Sequence, residues 1–340
     1  MKLVELRNKL NRNAEKSWNE IKSTEIIKSY LNRKGITFKK LPKTGLIAYK
    51  NQGKPILLRA ELDALPFGDE IKHACGHDVH ATALAAALLE INKPVIGVFQ
   101  PSEEDYPSGA KYVLDYIDNF KFAVAVHVDP DLAIGKIGLN SGYVMGSVDL
   151  IKFKLKGQTA HTATPDEGKD AILAAADLIK SISELDLPKS SVVISIINGG
   201  VKDNIVCDNV DLVGTLRTLD EQMRFEIKDK LKSICEEVKI QHDIKINFEF
   251  VGGYPALYNN PDLVEKIRVG LQEKFGKQNI VKSQPRLGND DFAYFNEKGP
   301  ICLIRVGCGF GKLHTKDFHP PDNIIEICKK VFVTCANIKF

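Results

Sequence analysis

Apolar residues recur at helical spacing over the first 34 positions, first Leu3, Leu6 and Leu10, then Ile26, Ile27 and Leu31. A break is predicted near Asn11 to Asn13, and Gly35 is a plausible stop. Two short apolar runs follow, Leu46 to Tyr49 and Ile56 to Leu58, with the turn-like Asn51-Gln52-Gly53-Lys54 between them. Residues 79–91 are apolar on nearly every side, which predicts a buried helix. Val95 to Phe99 and Phe122 to Val128 read as buried strands, with a helix around Gly109 to Tyr116 between them. Strands alternating with helices predict an α/β domain with a largely parallel mixed sheet flanked by helices.

The rhythm changes in the middle of the chain. Leu150 to Leu155 alternates as a strand, Ala171 to Ile182 is an Ala-rich helix, and Val192 to Ile197 and Val210 to Leu216 are strands. Glu221 to Val238 is an amphipathic helix, and Ile244 to Val251 closes the series. The order β-α-β-β-α-β is that of a ferredoxin-like α+β unit. It is expected as an inserted domain at residues 146–253, the α/β domain occupying 1–145 and 254–340. The chain then returns to helix (Pro261 to Phe275), strand (Ile301 to Val306) and helix (Asn323 to Val333).

Length and composition narrow the function classes. A chain of 340 residues suggests about two domains. With 47 basic and 44 acidic residues the charge is nearly balanced, and no basic stripe argues for a nucleic-acid partner. No run approaches the roughly 20 apolar residues of a membrane span. The start, charged from Lys2 onward, lacks the apolar run of a signal peptide. Seven irregularly spaced cysteines do not form a disulfide framework, so a cytoplasmic setting is expected.

The histidines are unevenly distributed. His73, His77 and His80 share one short segment, His127 ends an apolar strand, His161 lies in a Gly/Thr-rich loop, and His314 and His319 share a late loop. Cys75 and His77 flank Gly76, a spacing that lets a thiolate and an imidazole reach one side of a tight loop, as zinc or another late divalent metal requires. The same spacing also suits a buried free cysteine beside a polar histidine. Glu103 and Glu104 follow a buried strand: one carboxylate could bind metal while the other faces a reacting water, or both could belong to a solvated loop. His127 reads equally as a core histidine and as a ligand at the sheet's carboxyl edge. The spacing leaves each pair open.

Taken together the segments resemble the aminoacylase and peptidase family M20, and within it the amidohydrolase branch that includes hippurate hydrolases, indole-acetyl amino acid hydrolases and N-acetyl-diaminopimelate deacetylases. Leu58-Arg59-Ala60-Glu61-Leu62-Asp63-Ala64-Leu65-Pro66 resembles that family's L-R-A-D-x-D-A-L-P, and His73 to His80 resembles H-A-C-G-H-D-G-H. Phe99 to Glu104 resembles F-Q-P-A-E-E, and Gly157 to Pro165 holds the Gly-x-x-x-His pattern of a lid loop. Asn204 to Asp208, Gly214 to Arg217, Asp290 to Tyr294 and Leu313 to Thr315 resemble N-V-I-P-D, G-T-V-R, E-D-F-A-Y and L-H-S.

The resemblance implies a dinuclear metal-dependent amidohydrolase. It would cut N-acyl amino acids with a metal-held water and a glutamate base; the alternatives are a dipeptidase or carboxypeptidase of the same family, and a non-catalytic metal-binding protein that keeps the fold. The implied metal ligands are Cys75, His77, Glu104, His127 and His314, with Cys75 bridging two divalent ions (zinc, manganese, cobalt or nickel). Glu103 is the implied general acid/base and Asp63 the partner that orients a ligand. His161 is expected to reach the substrate carbonyl from the lid, in cis or in trans. Asn204 and Arg217 are candidate substrate contacts, and a homodimer through the ferredoxin-like domain is implied. The chain departs from the pattern at Leu10-Asn11-Arg12-Asn13-Ala14-Glu15, where the family has L-H-x-x-P-E, and at Val79, Cys207 and Asp290. The segment between Pro66 and His73 is also short. These differences bear on the substrate, since none removes an implied ligand or the base.

Overall fold

The computed structural model describes residues 2–340, which form two compact units. Among the described residues the first comprises 2–144, 257–284 and 291–340; the second comprises 145–256 together with 285–290.

In chain order the first unit opens with helices α1 (Leu3–Arg12) and α2 (Ile21–Arg33), strands β1 (Thr37–Lys40), β2 (Leu46–Lys50) and β3 (Ile56–Glu61), and the hairpin β4 (Leu65–Phe67) with β5 (Glu70–Lys72). It continues through α3 (His77–Glu90), β6 (Val95–Gln100), α4 (Gly109–Leu114), β7 (Ala123–Asp129), β8 (Ile137–Gly138) and β9 (Gly142–Met145). The second unit contributes β10 (Ser147–Lys156), α5 (Ala171–Ser183), β11 (Ser190–Gly199), β12 (Asn209–Thr218), α6 (Glu221–His242) and β13 (Lys245–Tyr254). The first unit then resumes with β14 (Leu257–Asn259), α7 (Pro261–Phe275), β15 (Ile280–Val281), β16 (Ile301–Gly307) and α8 (Asn323–Asn337).

Eight strands form its main sheet in the order β1-β2-β6-β3-β7-β16-β8-β15. The four central strands β6, β3, β7 and β16 run parallel, with antiparallel strands toward both edges. The largely parallel mixed sheet expected from the alternating pattern is therefore present. Central parallel strands are covered on both faces, which is why β3, β6, β7 and β16 are buried almost throughout. Helix α3 explains its own all-round apolar sequence: it lies on β3 and β6 and packs against α1 and α8, so it keeps no solvent face over its first three turns. Arg7 of α1 is fully buried and pairs with Asp78 in the first turn of α3 (2.9 Å) and with Asp322 at the start of α8 (2.6 Å).

The second unit is a four-stranded antiparallel sheet, β11-β12-β10-β13, with α5 and α6 packed on it. This is the ferredoxin-like strand order. Along β10 buried and partly exposed residues alternate, so Ile151, Phe153 and Leu155 enter the core. Phe153 stacks on Phe248 at 4.6 Å between ring centres, across the β10–β13 register. No helix among the described residues is long and apolar enough to cross a membrane.

Candidate metal centre

The carboxyl ends of the central parallel strands gather the chemistry of the first unit, as expected for an open α/β sheet. Asp63 follows β3, Glu103 and Glu104 follow β6, His127 lies near the end of β7, and His314 follows β16. Cys75 and His77 stand at the start of α3, where Gly76 is the N-cap in a left-handed conformation (φ 87°). The sulfur of Cys75 lies 3.3 Å from His127 Nε2 and 3.3 Å from His314 Nε2. His314 Nε2 is 3.5 Å from Glu104 Oε1, and His77 Nε2 is 3.9 Å from the same oxygen. His77 Nε2 is also 3.8 Å from Glu103 Oε2. The fold thus brings together six side chains spread over 240 residues of sequence. His314 itself is left-handed (φ 60°), rare for a residue with a Cβ, and its backbone N–H donates to Ala74 O (2.9 Å), tying its loop to the one before Cys75.

Hydrogen bonds fix which ring nitrogens are available. Nδ1–H of His127 donates to Val128 O (2.7 Å), which leaves the Nε2 lone pair facing Cys75. Nδ1–H of His77 donates to Asp63 O (2.9 Å), with Asp63 Oδ1 3.2 Å away. The Nε2 of His77 is buried and has no hydrogen-bond partner among the described residues. An imidazole clamped at one nitrogen and bare at the other is how a metal-binding histidine is held. His80 differs, because both its nitrogens are used: Nδ1–H donates to Glu61 Oε2 (2.9 Å), and Nε2 accepts from Val128 N (3.0 Å). His80 therefore supports the strand that carries His127 and keeps no lone pair for a metal. His73 is buried outside this cluster, with neither ring nitrogen hydrogen-bonded among the described residues.

Electrostatics describes the same cluster as a site for cations. Burial pushes the Cys75 thiol well above its usual range, and the charges of Glu104 and Glu103 add to the shift. Burial also holds His127 well below the normal histidine range, helped by His80, so the ring is neutral. Burial opposes a charge on His77, but the bond to Asp63 and the surrounding carboxylates raise it to about 10. A thiol and several carboxyl groups packed around imidazoles need positive charge among them, and ligation would take thiolate and neutral imidazole. Cys75, His77 and His127 have donor atoms within 4.8 Å of one another, as do Cys75, Glu104 and His314, and His77, Glu103 and Glu104. The donor set fits divalent metal ions.

Buried ion pairs stiffen the strands beneath. Arg59, fully buried in β3, donates from Nε to Gln100 Oε1 (2.9 Å) and from Nη2 to Asp291 Oδ1 (2.7 Å), and it pairs with Glu61. Asp291 also accepts from Ser108 Oγ (2.7 Å) and Ala110 N (3.0 Å), which anchors the far end of the Glu103 loop. Sequence reasoning missed this network and the acidic residue Glu20. The available signal was an Arg and a Glu at the end of an otherwise apolar strand, since buried charges require partners.

Glu20 has no exposed surface. Burial and the nearby charge of Asp63 raise it from 4.5 to about 7, against hydrogen bonds from Thr44 and Ser102 that favour its ionised form. A carboxyl whose proton is held more tightly in the folded state stabilises the fold fully below 4.5. That contribution is lost as pH rises through about 7, and it amounts to about 3 kcal/mol. Metal-free Glu20→Gln protein should therefore gain stability relative to wild type as pH rises from 4.5 to 7. Denaturant unfolding across that range checks it, and parallel curves for the two proteins would contradict it.

The other sequence-selected residues lie in the second unit. His161 is exposed, accepts from Ala163 N at Nδ1 (3.0 Å) and forms a β-bridge with Ile205. The adjoining Thr162 N–H donates to Asn204 O (3.2 Å), so the His161 and Asn204 loops run side by side. Asn204 Oδ1 is buried with no partner among the described residues. Arg217, on β12, donates from Nη1 to Asn289 Oδ1 (3.0 Å).

Comparison with known proteins places the chain. Over 353 residues it is 32% identical to the N-acetyl-L-cysteine deacetylase of Bacillus subtilis (strain 168), covering 95% of this chain and 83% of that one. It is 30% identical to thermostable carboxypeptidase 2 of Saccharolobus solfataricus, covering 90% and 85% of the two chains. A solved Bacillus subtilis structure, described as a dinuclear metal-binding peptidase of the M20 family, shares the fold with a TM-score of 0.87 at 24% identity, over 98% of this chain and 96% of that one. Residues 57–338 match Peptidase family M20/M25/M40. The family suggested by the ordered motifs is the one these matches give, and the chain belongs to peptidase family M20/M25/M40.

Proposed function

We propose that this M20 hydrolase is a dinuclear metal-dependent amidohydrolase acting on N-acyl amino acids. The observation that carries the reading is the convergence of Cys75, His77, Glu104, His127 and His314 around one small volume, with the carboxylate of Glu103 at its rim. Those five side chains would hold the metals. Cys75, within 3.3 Å of two imidazole nitrogens, would be the ligand common to the His127 and His314 donor groups. Thiolate and imidazole donors suit zinc and other late divalent metals, and the carboxylate also accepts manganese. Bound there, the metals would supply Lewis acidity, polarising a carbonyl and bringing the pKa of water to about 7.

The chain's own groups do the remaining work. Glu104 falls in a donor group with Cys75 and His314 and in another with His77, whereas Glu103 shares a group with His77 and Glu104. Glu103 is therefore assigned the protons: it takes one from the attacking water and returns it to the leaving amine, which departs poorly without it. Asp63 fixes His77 through Nδ1 and leaves Nε2 for the metal. The exposed His161 is assigned to hydrogen-bond the carbonyl oxygen as negative charge develops. Asn204 and the fork of Arg217 are assigned to the substrate, the latter to a carboxylate.

Deacetylase relatives favour blocked amino acids, and the carboxypeptidase relative supports a second reading, an exopeptidase. A hydrolysis screen decides between them: metal-stripped protein is reloaded with zinc, manganese, cobalt or nickel and offered N-acetyl and N-benzoyl amino acids beside unblocked dipeptides. Preference for dipeptides would replace the first reading with the second. Cys75→Ala should also bind fewer metal ions per chain, measured by elemental analysis; an unchanged count would remove Cys75 from the ligand set.

The second unit is assigned to homodimerisation. Its edge strand β11 exposes Val193, Ile196 and Ile197 along a ten-residue edge, the kind of edge that proteins usually blunt or cover. Ile196→Lys should shift the sedimentation coefficient from dimer to monomer, and a wild-type monomer would end the assignment. Seven buried cysteines, none in a disulfide, suit a reducing cytoplasm.

A further inference from the structure

The turn that carries Glu103 and Glu104 does not hold itself. β6 ends at Gln100, and Ser102 takes a left-handed conformation (φ 45°) that makes successive backbone N–H groups converge. Three in a row then meet carboxylates. Ser102 N donates to Glu20 Oε1 (2.8 Å), and Glu103 N and Glu104 N both donate to Asp63 Oδ2 (2.9 Å each). Asp63 is held by Ser17 Oγ (2.8 Å), and Glu20 by Trp18 N (2.9 Å) and Thr44 Oγ1 (2.6 Å). Trp18 Nε1 reaches Pro107 O (3.0 Å) and so pins the far side of the same loop. Glu15 O accepts from Ala64 N (2.8 Å), beside Asp63.

Residues 15–20 therefore contact the Ser102 amide, the Pro107 carbonyl and the Ala64 amide directly, and the amides of Glu103 and Glu104 through Asp63. This stretch follows the segment where the chain departs from the L-H-x-x-P-E pattern. We propose that it is a clamp for the catalytic turn and that Glu20 is a positioning residue for Glu103, acting through the Ser102 amide. The proposal rests on Glu103 being the proton carrier. Glu20 is the informative member because it bonds to no ligand side chain, whereas Asp63 holds His77 as well as the turn. Loss of the Glu20 acceptor would free the Ser102 amide and let the Glu103 carboxylate drift. Misplacement on the order of 1 Å at a reacting group is enough to lower a rate by about 100-fold.

The test uses the full chain, with Glu20→Ala, Glu20→Gln and Glu103→Gln compared. Metal-loaded Glu20→Ala should lose about 10- to 100-fold in kcat, with KM and metal content close to wild type. Metal-free Glu20→Ala should show faster amide hydrogen exchange at residues 102–104. Glu20→Gln should recover most of the rate, because its carbonyl oxygen can still accept from Ser102 and Trp18. If Glu20→Ala does not fold, Thr44→Val removes only the hydroxyl that steadies Glu20 and should lower kcat several-fold at constant KM. Wild-type kcat and wild-type exchange in the folded alanine variant, or wild-type kcat in Thr44→Val where only that variant folds, would overturn the clamp. A dead Glu103→Gln beside a fully active Glu20→Ala refutes the clamp alone, whereas an active Glu103→Gln refutes the reading of Glu103 on which it rests.

Discussion

Glu103→Gln is expected to lower kcat by roughly three to four orders of magnitude while metal content and KM stay near wild type. The amide matches the carboxylate in size, so the largely buried side chain keeps its place at the rim of the donor cluster, 3.8 Å from His77 Nε2. Its backbone N–H still donates to Asp63. What disappears is the ability to accept a proton and hand it on, and the amine leaving group needs that second transfer. Glu104→Gln is the control with the opposite signature. Glu104 shares donor groups with Cys75 and His314, so its amide should reduce bound metal as well as rate. Steady-state kinetics with elemental analysis separates the two cases. A Glu103→Gln enzyme that turns over at the native rate would remove Glu103 from the proton path.

Much of this arrangement is legible in the sequence, and the parts that are not share a physical cause. α3 and the strands β3, β6, β7 and β16 stand out because burial on all sides leaves them almost wholly apolar. The ferredoxin-like unit stands out because its sheet is covered on one face, so β10 alternates residue by residue. The strands β8 and β15, two residues each, are too short for any period to register, and β1 (Thr-Phe-Lys-Lys) is a polar edge with no buried face to mark it. In the site, chemically distinctive residues such as Cys75, His77 and His127 draw attention by type. Arg59 and Asp291 are far apart in sequence, and their pairing exists only once β3 and the segment after residue 290 are folded together. Glu20 is an ordinary acidic residue in a linker between two helices, and nothing local distinguishes it from a solvated one. Its burial and its three donors belong to the tertiary structure.

Gly76→Ala should destabilise the protein by about 2–5 kcal/mol and weaken metal binding, although no functional atom is removed. Two terms add. The residue sits at φ 87°, where a Cβ meets the following carbonyl at a cost of about 1–2 kcal/mol. A Cβ built there would also lie 2.5 Å from Val128 Cγ2, and overpacking of that kind typically costs about 1–3 kcal/mol. The contact matters chemically because Val128 orients two rings: its carbonyl holds His127 Nδ1 and its N–H holds His80 Nε2. Pushing Val128 aside turns the His127 lone pair away from Cys75, and the new methyl would also lie 3.5 Å from His80 Nε2. The two terms can be separated. Val128→Ala removes the methyl that clashes but leaves the backbone strain, so in the double variant only the packing term should be relieved. A double-mutant cycle by denaturant unfolding should therefore give a favourable coupling of about 1–2 kcal/mol, with metal affinity partly restored. Strict additivity would mean that Gly76 is required for its backbone conformation alone and that the helix start has room to move away from β7.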